Sequence, residues 1–111
     1  MLQDDAENFP NMAKKIDGVI ESARYRNGEI EVVRAFERRG ATYSDWILMP
    51  RHELLERLKK GRNFMTGSRR EFLASTFETG RPVRVVSRDG EEFISTRDNA
   101  ERDELEQVPV F

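Results

Sequence analysis

The chain has no cysteine and a single histidine. The first absence removes a disulfide framework, a cysteine-based zinc site and a thiol nucleophile. The second leaves transition metals short of their preferred ligands. Any Ser–His–acid triad would have to use His52, which lies between Arg51 and Glu53 in a chain without a Gly-x-Ser-x-Gly sequence, so it reads as an exposed helix residue. Long apolar runs are also missing: none approaches the roughly 18 residues that cross a bilayer. The acidic start, with Asp4, Asp5 and Glu7, lacks the basic and apolar parts of a signal peptide. The expectation is a cytoplasmic chain with no membrane partner. Carboxylates are plentiful, but none stands in an apolar run where burial would suit it to general acid work. No catalytic residue, metal ligand or cofactor is therefore assigned. The segment 61–68 fails as a phosphate-binding loop, because five residues separate its glycines and no lysine precedes the hydroxyl residue.

What is present in quantity is charge. Of 111 residues, 36% are charged, yet the net charge is only −2. That length suits one domain whose core needs no metal or disulfide. Residues 1–13 carry three acids and no base, and residues 98–111 carry five acids against Arg102, which leaves +5 for 14–97. Within it, 51–70 holds Arg51, Arg57, Lys59, Lys60, Arg62, Arg69 and Arg70 against Glu53 and Glu56, a local +5. Two readings follow: solvated acidic ends around an ordinary body, or a basic patch offered to an anionic partner or covered by the acidic tail. Residues 1–13, poor in apolar side chains and containing Pro10, read as a disordered acidic segment. Met12 reads as a second translation start. The division expected is 1–13 disordered, 14–97 a single α+β domain, and 98–111 an acidic helical tail with an apolar end.

Asn27-Gly28 is the strongest local signal. As the centre of a type I′ turn it pairs Arg26 with Glu29, Arg24 with Glu31 and Ser22 with Val33 on one face. Tyr25–Ile30, Ala23–Val32, Glu21–Arg34 and Val19–Phe36 then form the other, mostly apolar face. A short apolar strand follows at 46–49. Pro50 opens a helix over 51–60, with Leu54, Leu55 and Leu58 on one side, charges that match the helix dipole, and Gly61 as the stop. Thr79-Gly80 and Asp89-Gly90 read as turns of a three-stranded meander over 72–77, 83–88 and a last strand that starts after Gly90. The Asp89-Gly90 turn pairs Arg88 with Glu91, Val86 with Phe93 and Val85 with Ile94. Asp98 and Glu101 have the spacing of a capping box for a short C-terminal helix, and the apolar end at 108–111 is expected to pack back on the domain.

The fold expected is α+β: a small, strongly curved antiparallel sheet or open barrel, with one packed amphipathic helix and a short C-terminal helix. Its core is expected to be Val19, Val32, Phe36, Trp46, Leu48, Leu54, Leu58, Phe77, Val85 and Ile94. The first functional reading is a non-enzymatic module that binds another protein. The second is a nucleic-acid-binding domain that uses Arg57, Lys59, Lys60, Arg62, Arg69 and Arg70. A third is a small-anion or enzymatic site at a barrel mouth, where the backbone around Thr66, Gly67 and Ser68 meets Arg69 and Arg70. A homo-oligomer, formed through a sheet edge or exchanged ends, is left open.

Overall fold

The computed structural model describes residues 15–69 and 77–111. The segment 1–13 expected to be disordered, most of the strand expected at 72–77, and Arg70 lie outside these residues. Eight strands and one helix make up the described part: β1 Gly18–Arg26, β2 Glu29–Arg39, β3 Thr42–Tyr43, β4 Ile47–Pro50, α1 Arg51–Lys59, β5 Phe64–Arg69, β6 Phe77–Pro82, β7 Arg84–Arg88 and β8 Glu91–Ser95. Six strands form one curled, half-barrel sheet in the order β3-β2-β1-β5-β6, with β4 also paired to β2; β7 and β8 form a separate hairpin. The domain is thus small and dominated by sheet. No helix among the described residues is long and apolar enough to cross a membrane.

Both hairpin turns form as the dipeptides require. Asn27 and Gly28 have φ of 54° and 83°, Asp89 and Gly90 of 53° and 83°, the left-handed pairs of a type I′ turn. Around the second turn the ladder pairs Arg88 with Glu91, Val86 with Phe93 and Val85 with Ile94. Around the first turn, strict alternation fails after two pairs. Tyr25 faces Ile30, but Arg24 faces Val32, Ala23 faces Val33 and Ser22 faces Arg34. Glu31 is an extra residue on β2 and Glu21 an extra residue on β1, and the second bulge cancels the first, so Val19 again faces Phe36. The cause is the side chain at 34. Unbroken alternation from Ile30 would drive Arg34 into the core, and the bulge at Glu31 instead puts Val33 and Ala35 there, both fully buried.

β5 runs parallel to β1, with Gly18, Val19 and Ile20 opposite Phe64, Met65 and Thr66. Because β4 is antiparallel to β2, it points the same way as β5, with β2 and β1 between them, and parallel strands of one sheet need a crossover connection, which α1 provides. Gly61, with φ of 86°, ends the helix. Leu54 is fully buried against Ile20, Ala23, Ile30, Val33, Ala35, Met49, Phe64, Val83, Ile94 and Leu105, with Leu55 and Leu58 packed at the margin. Val19, Phe36, Leu54 and Ile94 are buried as expected, and Val32, Leu58, Phe77 and Val85 are partly so. Trp46 and Leu48 are not core residues: they are 51% and 55% exposed, on the face of the sheet away from α1.

Two further expectations are corrected. Thr79-Gly80 makes no turn: β6 continues through it, with a register shift opposite Thr66, and pairs with β5, a strand where a loop was expected. Gly67 is needed there because a Cβ would run into the Glu78 carbonyl oxygen. The segment 98–106 forms turns and isolated bridges in place of a helix. A single long-range contact set decides that. The Asp103 side chain has 0% exposure, and its Oδ2 accepts from the Ile30 N–H at 2.8 Å and from Arg51 Nε at 2.7 Å. Its Oδ1 accepts from the Ile94 N–H at 2.9 Å and Arg51 Nη2 at 3.1 Å, and Nη2 also reaches the Glu92 carbonyl at 2.8 Å. The Asp103 hydrogen bonds raise the Arg51 pKa further, so that side chain stays charged. One carboxylate therefore ties β2, β8, α1 and the C-terminal segment together, and four donors in place of water make its burial tolerable. Asp98 is drawn outward instead, to Arg84 at 2.6 Å.

Candidate interaction surface

The two bulges decide what the outer face of the sheet displays. With Val33 and Ala35 inward, Arg34 points out beside its cross-strand partners Ser22 and Leu48. Its guanidinium carbon lies 4.3 Å from the Phe111 ring centroid and 5.0 Å from that of Trp46. Arg24 adds a second cation at 4.8 Å from Phe111. Such contacts fix both rings at the surface while the apolar faces of their neighbours stay open to water. Trp46 and Leu48, 51% and 55% exposed, frame the patch together with Phe111. Exposed large apolar residues grouped in one place are uncommon on a chain with no partner.

The C-terminal segment completes this face. β5 leaves β1 after Ile20, and the tail takes its place: the Ala23 N–H donates to the Pro109 carbonyl at 2.9 Å, and the Phe111 N–H to the Ala23 carbonyl at 3.1 Å. The apolar end thus packs on the domain, through main-chain bonds beside β1. Where β5 and the tail diverge, at the Glu21 bulge, a cleft of about 600 Å³ opens. Its walls are Glu21, Ser22 and Arg34, residues 66–68 of β5, 78–80 of β6 and 107–109 of the tail. Ser22 Oγ and Arg34 Nε are buried beside it with no hydrogen-bond partner among the described residues; a buried polar group left unpaired costs about 1–3 kcal/mol.

The basic residues of the middle segment are mostly committed to intramolecular acids. Arg57 donates to Glu37 at 2.6 Å and lies 3.8 Å from Glu53; Lys59 pairs with Glu92 at 2.7 Å. Arg69 stacks 4.3 Å from the Phe36 ring, donates to the Ser44 carbonyl at 2.8 Å and lies 3.5 Å from Asp45. Lys60 and Arg62 are exposed and make no ion pair among the described residues. Ser68 lies on the cleft wall. The tail acids turn to other arginines: Glu106 to Arg81 at 3.3 Å and Arg97 at 2.8 Å, Glu101 to Arg88 at 3.5 Å. Among the described residues, only Asp103 of these tail acids pairs with the 51–70 segment, at Arg51. His52 is exposed, and the described residues hold no cluster of three or more potential metal-binding side chains.

Sequence reasoning missed Arg34 and Phe111 as surface residues and took Trp46 for core. One signal was available for Arg34: strict pairing placed Glu21 opposite it on an otherwise apolar face, a conflict that only a bulge removes. Comparison with protein-family models, with curated proteins and with solved structures finds no match to this chain.

Proposed function

We propose that this chain is a non-enzymatic module that binds another protein through the outer face around Arg34. The observation that carries the reading is the grouping of Trp46 and Leu48, each more than half exposed, about Arg34, which is stacked on the Trp46 and Phe111 rings. Tryptophan, other aromatics and arginine dominate the energetic centres of protein interfaces, since they bury large area at little conformational cost.

The nucleic-acid reading has less support. Among the described residues of the basic segment, only Lys60 and Arg62 remain without an acidic or aromatic partner, and two free cations release too few counterions for tight binding. The anion-site reading is weakened as well, because Arg69 is turned to Phe36 and Ser44 while the cleft beside Ser68 carries Glu21 and Glu78.

Site-directed photo-crosslinking in the cells that make the protein tests the proposal. A photoreactive residue at Leu48 should give a discrete heavier product, the same residue at His52 should not, and Arg34→Ala should abolish the product. Equal labelling from both positions, or none from Leu48, would refute the proposal.

A further inference from the structure

We infer that the cleft at the divergence of β5 and the tail receives a lysine or arginine side chain of the protein that docks on the Trp46 face. The inference rests on the protein-binding reading and specifies the chemistry of the partner. Three observations lead to it. The cleft is continuous with the patch, because Arg34 belongs to both. Its charge is acidic: Glu21 and Glu78 stand on its walls with no ion-pair partner among the described residues, while nearby Glu106 is already held by Arg81 and Arg97. Arg34, the one cation on the wall among the described residues, has its guanidinium stacked on Phe111 and Trp46, although its Nε has no hydrogen-bond partner among them. An incoming anion would thus meet two carboxylates against one engaged guanidinium, whereas an ammonium or guanidinium would find its counter-charges unoccupied.

The remaining wall chemistry agrees. Ser68 and Thr79 add hydroxyl acceptors beside the carboxylates, and a cationic side chain carries several donors and no acceptor. At about 600 Å³ the space is ample for one long side chain. The apolar stem of lysine or arginine would lie along Val108 and Pro109, with its charged head between the acids. The partner is therefore a segment that presents an apolar residue to Trp46 and Leu48 and a basic residue a short distance away.

Selection of randomised displayed peptides on the immobilised full chain, followed by affinity measurement, tests this. Enriched peptides should carry lysine or arginine at a fixed spacing from an apolar residue. The Glu21→Gln/Glu78→Gln variant, its fold checked by circular dichroism, should bind them about five- to tenfold more weakly, as expected for two partly solvated charge contacts. Changing the peptide's basic residue to glutamine should weaken binding to the parent protein by a similar factor and to that variant hardly at all. Enriched peptides without a basic residue, or equal binding by the variant, would overturn the inference and leave the surface reading standing. No enrichment, or binding indifferent to Trp46→Ala, would overturn both.

Discussion

Replacing Asp103 by alanine should cost this fold more than any other single change to a charged residue. The substitution strands the Ile30 and Ile94 N–H groups, both of which the carboxylate satisfies at under 3 Å in a fully buried setting. An orphaned buried donor costs about 1–3 kcal/mol. Arg51 loses two further bonds, but its side chain is 21% exposed and keeps the Glu92 carbonyl, so water offsets part of that loss. Taking about 2 kcal/mol for each N–H gives a total near 4 kcal/mol, a large share of the roughly 5–15 kcal/mol that holds a domain together. With a urea slope of about 1.5 kcal/mol per molar, the unfolding midpoint should fall by more than about 2 M. Far-UV circular dichroism is the right signal, because Trp46 already faces solvent in the native state. Asp103→Asn keeps one acceptor oxygen and should lose about half as much. In a double-mutant cycle Arg51→Met should show strong coupling to Asp103→Ala. A loss below about 1 kcal/mol for Asp103→Ala would show that water reaches the two N–H groups and that the clamp does not organise the fold.

Other outcomes follow from the same geometry. A chain ending at Arg97 should fail to unfold cooperatively, since it lacks Asp103, Leu105 and the main-chain partners of Ala23; a sharp urea transition in that truncation would contradict the role given to the tail. Burial pushes the Asp17 carboxyl up, but the Asn63 N–H and the Arg38 guanidinium outweigh it and hold the pKa below its usual value. Its contribution to stability is therefore complete above the unfolded value near pH 4 and is lost as pH falls through the lower folded value. Asp17→Asn should accordingly destabilise at pH 7, and the difference from the parent should shrink in urea titrations at progressively lower pH. Trp46→Ser should change stability by about 1 kcal/mol or less, the worth of one exposed cation–π contact. The emission maximum of that single tryptophan should scarcely move on unfolding.

How much of this was legible depended on how local its cause is. Asn27-Gly28 and Asp89-Gly90 specify their turns through two residues that tolerate positive φ, so the turns and the whole β7–β8 register could be read directly. Pro50, with φ fixed at −65°, and Gly61, at positive φ, marked the helix ends through equally local causes. The compensating bulges could not be placed, because they arise from keeping Arg34 out of a core assembled from β4, α1 and β8. Gly80 resembled a turn residue; it sits inside β6, where a Cβ would press on Thr66 Oγ1. The capping-box spacing at Asp98 lost to Asp103, whose partners lie 52 and 73 residues away. The acidic cleft had no local signature either, since Glu21 and Glu78 meet only through the divergence of β5 from β1.

The late arrival of Asp103 and Pro109 along the chain sets the timetable of biosynthesis. β1 and β2 leave the ribosome early, yet the Ile30 amide and the Ala23 edge wait for partners more than seventy residues downstream. A nascent chain can close the first hairpin turn, but it cannot complete this domain until the final segment has cleared the exit tunnel. Folding of this domain therefore waits on residues 103–111, with the opening strands held in an unfinished state until that segment is free to dock.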